Sequence, residues 1–123
     1  MAYTLDGRNL TLEASADLSS SQYLFVDLGS TGIAVVSGSG GKAVGVLQDK
    51  PAALGRAGCV QYDGVTKVEA GAVVAVGADI MSNASGQAIT ATTGLVSQGT
   101  ALEAATAAGD LIAVLLKSNG TVA

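Results

Sequence analysis

Histidine is absent from this 123-residue chain, and with it the side chain that most often serves as a general base or a metal ligand. A Ser-His-Asp triad is therefore impossible. The single cysteine, Cys59, has no partner for an internal disulfide, so nothing in the sequence demands an oxidising compartment. Cys59 also lies in an apolar run, Gly58-Cys59-Val60, which favours an inert thiol over a nucleophile.

Carboxylates are the remaining route to chemistry, and the ten acidic residues are dispersed along the chain. Asp49 and Asp63 form a conceivable acid and base pair, but carboxylates solvated in turns are the stronger interpretation. The sequence thus predicts a protein that is not an enzyme and that binds no metal ion or cofactor.

Positive charge is also scarce, since six basic residues face ten acidic ones and the net charge is −4. The basic residues form no cluster, which argues against nucleic acid as a partner. The first ten residues lack a basic start and an apolar run, and the longest apolar run anywhere is Leu111–Leu116. We therefore expect no signal peptide, no transmembrane helix and no membrane partner.

Aromatic residues number four and tryptophan is absent, so Ala, Val and Leu must supply the core. Small side chains bury little apolar area each. We therefore expect the fold to gain stability from contacts between subunits, with a compact monomer as the alternative. The 17 glycines favour many tight turns over long helices.

Short β-prone runs separated by turn residues dominate what is present. Asp63-Gly64, between runs at 58–62 and 65–69, predicts a two-residue hairpin, and residues 83–86 predict a second one. Residues 101–105 fit a strand better than a short helix, and residues 111–116 fit a strand buried on both faces. Further strands are predicted at 9–13, 23–28, 33–36, 44–47, 73–76, 80–81 and 87–90.

About nine to eleven short strands predict an all-β domain, a compact small barrel or sandwich with Gly-rich turns and little or no helix. Residues 1–8 are predicted to form a flexible arm, residues 9–117 a single β domain, and residues 118–123 a short tail. No exact internal repeat is visible. Residues 23–34 and 79–89 share only a generic outline of strand, Ser/Thr-Gly turn and strand.

Four segments, in this order, carry a family resemblance. They are GVLQDKPAA at 45–53, Gly-x-x-Lys-Val-x-Ala-Gly at 64–71, Val-Gly-Ala-Asp at 76–79 leading to Ser82 and Gly86, and GTALEAATAAGDLIAVLL at 99–116. Together they resemble the capsid decoration, or head cement, proteins of tailed bacteriophages, over residues 10–116. The long connection at 30–42 departs from the pattern of that family.

The resemblance implies a virion structural protein, often a homotrimer, that is made in the host cytoplasm and sits on the outer surface of the phage head. There it would bridge subunits of the major capsid protein and stabilise the capsid. A small all-β carrier or accessory domain, lipoylated or biotinylated at Lys50, is the alternative, because Asp49-Lys50 lies in a loop between strands.

Two segments are candidate capsid contacts. Tyr3, Leu5 and Arg8 lie in the N-terminal arm, for which plain end disorder is the alternative. The second candidate is the excursion at 48–56, with an ordinary solvated loop as its alternative; its contact residues are Lys50, Pro51, Leu54 and Arg56.

Two aromatic residues are candidates for a subunit interface. Tyr23 and Phe25 are predicted on one face of the same strand, and aromatic anchors often carry interface energy. A core covered on both faces is the alternative for them.

Overall fold

The computed structural model describes residues 8–35, 43–92 and 97–116, and within these ranges it contains ten β-strands and no helix. The strands form two antiparallel five-stranded sheets, so the all-β prediction is confirmed, as a sandwich rather than one closed barrel. The strands are β1 (Asn9–Glu13), β2 (Phe25–Gly29), β3 (Gly32–Val35), β4 (Gly45–Leu47), β5 (Ala57–Gln61), β6 (Gly64–Glu69), β7 (Asp79–Ser82), β8 (Ala88–Thr90), β9 (Gly99–Ala101) and β10 (Leu111–Leu116).

Each half of the chain builds one sheet. The first sheet has the order β1-β5-β4-β2-β3, and the second has the order β6-β10-β9-β7-β8. The chain therefore completes the first sheet before it begins the second.

The predicted hairpin at Asp63-Gly64 is wrong, because β5 pairs with β1 and β4 whereas β6 pairs with β10. A type I′ turn needs positive φ at both central residues, and here only Gly64 has it, at +93°. The Gln61 side-chain amide donates to the carbonyls of Asp63 and Val65 at 2.9 and 3.1 Å. These bonds hold the chain as it crosses from one sheet to the other.

The hairpin at residues 83–86 is confirmed, since β7 and β8 pair there. The Asn83 carboxamide oxygen accepts bonds from the amides of Ser85 and Gln87, and Gly86 has a φ of +76°. Two other strand predictions are wrong. The strand β9 covers Gly99–Ala101 instead of residues 101–105, and the run at 73–76 forms only an isolated bridge between Val74 and Ala105.

The two halves have the same topology and the same register. The strand order β1-β5-β4-β2-β3 of the first sheet matches the order β6-β10-β9-β7-β8 of the second when five is added to each strand number. Val26 of β2 lies opposite Gly45, and Ile80 of β7 lies opposite Gly99. In both halves the alanine that follows the first strand forms a parallel bridge with the third strand: Ala14 with Ile33, and Ala70 with Ala88.

Backbone hydrogen bonds outside the strands repeat in the same way. In the first half they join Ser15 N to Ile33 O, Leu18 N to Pro51 O, Tyr23 N to Leu47 O, Gln48 N to Cys59 O and Gly55 N to Ala14 O. In the second half they join Gly71 N to Ala88 O, Val74 N to Ala105 O, Gly77 N to Ala101 O, Leu102 N to Ala113 O and Gly109 N to Ala70 O. The described strands therefore form two repeats, an N-terminal repeat within residues 9–61 and a C-terminal repeat within residues 64–116.

The generic outline shared by residues 23–34 and 79–89 contains the equivalent hairpins β2–β3 and β7–β8 of these repeats. Each repeat also has its own hydrophobic core. The smaller cluster consists of Ala14, Leu18, Val26, Ile33, Leu47 and Val60. The equivalent residues of the C-terminal repeat all lie in the larger cluster: Ala70, Val74, Ile80, Ala88, Ala101 and Val114.

Several contacts join the repeats within one chain. Phe25 and Val46 of the N-terminal repeat pack in the larger cluster, and Gln48 and Thr66 exchange side-chain hydrogen bonds of 2.8 and 3.1 Å. Phe25 is only 1% exposed. The subunit-interface hypothesis for Phe25 is therefore wrong, because its ring is buried within the chain. This matches the alternative of a core covered on both faces.

Candidate interaction surfaces

The loop predicted to contact the capsid belongs to a larger surface. Residues 15–23 and 49–56 lie side by side. Leu18 N donates a bond of 2.8 Å to Pro51 O, and Gly55 N donates one of 2.8 Å to the carbonyl of Ala14, the residue before the first segment. The Asp49 carboxylate also accepts a bond of 3.0 Å from the amide of Cys59 in β5. We call these two segments the first loop surface. Its backbone is fixed at several points rather than free in solvent.

Three of the four predicted contact residues in this loop are exposed. Lys50 and Arg56 reach solvent, and the side chain of Leu54 is 68% exposed. Pro51 is buried, so its place in an exposed contact loop is wrong. The Pro51 carbonyl accepts a hydrogen bond from the amide of Leu18, and the Pro51 ring lies close to Gly58.

Tyr3 and Leu5 of the predicted arm lie outside the described residues, whereas Arg8 is described and exposed. The Arg8 carbonyl accepts a bond of 3.0 Å from the amide of Tyr62. Its guanidinium Nε lies 3.9 Å from an Asp63 carboxylate oxygen, with both side chains largely in solvent. An exposed pair of this kind contributes little to stability.

Tyr23 lies at the junction between the two repeats. Its carbonyl accepts a bond of 3.0 Å from Glu69 N, and the Lys67 ammonium lies 5.8 Å from the centre of its ring. Its φ of +66° is in the left-handed region, where the equivalent residue of the C-terminal repeat is Gly77. Tyr23 is half-buried. Its ring therefore contacts the other repeat of the same chain, and its predicted role between subunits stays a prediction.

The C-terminal repeat carries the equivalent surface, which sequence reasoning missed. Residues 71–77 and 103–110 lie side by side, and Val74 and Ala105 exchange backbone bonds of 3.0 and 2.9 Å. We call these segments the second loop surface. Val73 and Val76 are 70% and 66% exposed on it. The available signal was the complete lack of Lys and Arg between residues 68 and 116.

Asp110, at the edge of the second loop surface, is held as an anion. Its carboxylate accepts bonds of 3.0, 3.0 and 3.2 Å from Thr106 N, Thr106 Oγ1 and Ala107 N. These bonds, first of all the one from the Thr106 amide, hold the pKa of Asp110 below its usual value. Residue 56, its equivalent in the N-terminal repeat, is an arginine.

The candidates for catalysis are Cys59, Asp49 and Asp63. Burial, followed by the charge of Asp49, raises the pKa of the Cys59 thiol, which disfavours the nucleophilic thiolate. Asp49 accepts a bond from the Cys59 amide, and Asp63 accepts one from Gly64 N. Within residues 8–35, 43–92 and 97–116, no three Cys, Asp or Glu side chains converge on a metal site. The same ranges contain no helix long and apolar enough to cross a membrane.

No curated protein matches the chain. Among solved structures, the fold is similar to the head fiber gp8.5 N base of bacteriophage phi29, with a TM-score of 0.66 and 18% identity over 94% of this chain and 98% of that one. At that identity the likeness concerns the fold. The family model for phage cement proteins matches residues 5–116, almost the entire length, and the chain therefore belongs to the phage cement protein family, with a structural role in capsid decoration.

Proposed function

We propose that this protein attaches to the outer surface of a phage head as a homotrimer and stabilises the head by bridging subunits of the major capsid protein. The match of residues 5–116 to the cement family is the observation that carries the proposal. The similarity to the base of a phage head fiber supports a body of this shape.

A bridge between two subunits must transmit force without bending, and the architecture suits that task. Each repeat has its own buried cluster, and Phe25 and Val46 join the repeats. In both repeats a carboxylate secures the long loop to the sheet: Asp49 to the amide of Cys59, and Glu103 to the amide of Ala113 at 2.9 Å. Several weak contacts on such a rigid body add up to firm attachment on a lattice of identical subunits.

A non-catalytic role is part of the proposal. The raised pKa of Cys59 and the structural use of Asp49 and Asp63 support it. The alternative, a carrier domain modified at Lys50, gains no support from the geometry. Lys50 stands between the anchored Asp49 and the buried Pro51, so it is not at the tip of a free hairpin where a modifying enzyme acts. Mass spectrometry of protein from its natural host tests this alternative, and an added lipoyl or biotinyl group on Lys50 would support it.

The direct test uses purified heads that lack the protein. We expect the full chain to sediment with these heads in a saturable manner and to raise the temperature at which they release their genome. Absence of binding, or binding that leaves this temperature unchanged, contradicts the proposal. An image reconstruction of decorated heads then locates the protein on the outer surface and counts the copies at each site.

Two variants test the predicted contact segments in the same assay. Deletion of residues 1–8 is expected to weaken binding, and so is Lys50→Glu combined with Arg56→Glu. Lys50 and Arg56 are exposed, so their replacement should leave the melting temperature of the chain unchanged. Unaltered binding of either variant removes that segment from the contact.

A further inference from the structure

The contact between the two repeats covers one edge strand, β6. The Glu69 amide at this edge donates a bond of 3.0 Å to the Tyr23 carbonyl of the N-terminal repeat. The Thr66 hydroxyl of β6 and the Gln48 carboxamide exchange bonds of 2.8 and 3.1 Å. Thr66 is 0% exposed beneath this contact, which we call the junction.

The edge strand β1 takes the position of β6 in the N-terminal repeat, but it lies open. Leu10 corresponds to Thr66, since each lies four residues before the alanine that bridges to the third strand. Leu10 is nevertheless 41% exposed. The amide of Glu13, which corresponds to Glu69, bonds to no acceptor among the described residues. We call β1 the open edge.

The surface that covers β6 is also present twice in the chain. Leu102 corresponds to Gln48, because both amides bond to the facing strand in the same way. Gly77 corresponds to Tyr23 by its bond to the central strand, and it is exposed. We call this second surface the outer face, and it consists of Gly77, Asp79, Thr100 and Leu102.

The central pair of side chains changes on both sides at once. At the junction the pair is polar, Gln48 with Thr66, and it is hydrogen-bonded. At the outer face and the open edge the equivalent pair is apolar, Leu102 with Leu10. A mixed pair would leave a polar group without a partner in the contact, whereas two leucines match each other. This paired replacement indicates that a second copy of the chain covers the open edge.

We propose that the outer face of one copy binds the open edge of another copy in the manner of the junction, with Leu102 packed on Leu10. The Gly77 carbonyl then accepts a bond from the Glu13 amide. Because the contact joins two different surfaces, it is heterologous and generates a closed ring or an open chain. A ring of three copies satisfies the homotrimer of the proposed function. The inference rests on that part of the proposed function and does not depend on attachment to a head.

The contact between copies is shallower than the junction. Phe25 and Val46 pack in the hydrophobic core of the neighbouring repeat, whereas the outer face has Asp79 and Thr100 at the equivalent positions. These polar side chains stay at the surface, so the contact between copies buries less apolar area. We therefore expect an assembly that dissociates on dilution.

Light scattering on the full chain, across a range of concentrations, tests the contact. The wild type is expected to exceed monomer mass and to return to it on dilution. Leu10→Glu and Leu102→Glu each bury a charge in the contact, so each is expected to raise the dissociation constant about tenfold or more. Leu54→Glu is the matched control, because Leu54 is 68% exposed on the first loop surface, outside the open edge and the outer face.

Two milder substitutions keep the test valid if a glutamate variant folds poorly. Leu10→Thr and Leu102→Gln copy the residues of the junction. Each change alone sets a polar group against a leucine and is expected to weaken assembly about fivefold or more. Both changes in one chain recreate the hydrogen-bonded pair of the junction between copies, so assembly should return close to that of the wild type. A combined variant that assembles no better than the weaker single variant contradicts the proposal.

A mixing experiment distinguishes this contact from a symmetric one. Leu10→Glu retains an intact outer face, and Leu102→Glu retains an intact open edge. An equimolar mixture is therefore expected to form dimers, although each variant alone stays monomeric. If Leu102→Glu alone assembles like the wild type, the open edge pairs with itself and the proposal is wrong.

A wild type that is monomeric at about 100 μM also overturns the inference. Loss of head binding by Leu10→Glu would in that case assign the open edge to the capsid. Conversely, a chain that assembles as described but binds no head upholds this inference and contradicts the proposed function.

Discussion

Two glycines at equivalent positions, Gly45 and Gly99, provide the sharpest test of the repeat architecture. Each lies at the start of a short central strand, β4 or β9. A Cβ on Gly45 would overlap the carbonyl oxygen of Gln61 and lie 2.8 Å from Val60 Cγ1. A Cβ on Gly99 would overlap the carbonyl oxygen of Leu115 in the same way. Gly45→Ala and Gly99→Ala are therefore equivalent perturbations of the two sheets.

The expected loss of stability is large because the added methyl group overlaps backbone atoms of a neighbouring strand. A flexible side chain can turn away from a new methyl group, but Gln61 and Leu115 belong to β5 and β10, which are paired on both sides. Inserting a methyl group into a packed core typically costs about 1–3 kcal/mol, and displacing a paired strand places these variants at or above the upper end. At roughly 4 °C per kcal/mol for a chain of this size, each melting temperature should fall by about 12 °C or more.

Thermal unfolding followed by circular dichroism measures the effect, with Gly55→Ala as the control. Gly55 has a φ of +85° but no atom within 4 Å of the added Cβ, so it isolates the cost of backbone strain, about 1 kcal/mol. The reasoning fails if Gly45→Ala melts no lower than Gly55→Ala, or if only one of the two equivalent variants is affected.

Three further outcomes follow from single residues. Asp110 has a lower pKa in the folded chain than in the unfolded chain, so its carboxylate stabilises the fold above the usual carboxyl pKa and loses that effect on acidification. The melting-temperature gap between wild type and Asp110→Asn should therefore be present at about pH 7 and close towards about pH 2, and a constant gap contradicts this. In urea, the free energy of unfolding of Tyr23→Gly should be about 1 kcal/mol higher than that of Tyr23→Ala. Both variants lack the ring, but only alanine is strained by the positive φ at this position. Equal free energies of unfolding would refute this reasoning. Alkylation of Cys59 should have a pH midpoint that shifts downward when the chain is unfolded in guanidinium, since burial and Asp49 raise the thiol pKa only in the fold, and an unchanged midpoint disproves the effect.

The sequence predicts the strands well where the signal is local. The alternation in residues 9–13 gives β1 with its exact bounds, and the apolar run at 111–116 gives β10. The error at Asp63-Gly64 has a physical origin. The two residues predict that the chain turns there, but they do not determine whether the strands on either side pair with each other. Which strand lies beside β5 is decided by distant partners, β1 and β4, whose pairing leaves no edge for β6.

The repeat is hidden from the sequence because the backbone is preserved by different side chains. Asp49 and Glu103 make the same bond to the facing strand, and Tyr23 adopts the conformation that Gly77 adopts without strain. The clearest surviving trace is Glu-Ala-x-Ala, at residues 13–16 and 69–72. The second loop surface was missed for a related reason. Val73 and Val76 lie beside the isolated bridge at Val74, and hydrophobic periodicity does not detect such a bridge.

The completion of one sheet before the next begins has a consequence for synthesis on the ribosome. The strands β1 to β5 pair only with one another, so the first half can form its sheet before the second half has left the ribosome. Phe25 and Val46 are covered only when the later residues of the larger cluster arrive. The growing chain therefore leaves few strands of the first sheet without their partners while the second half is made.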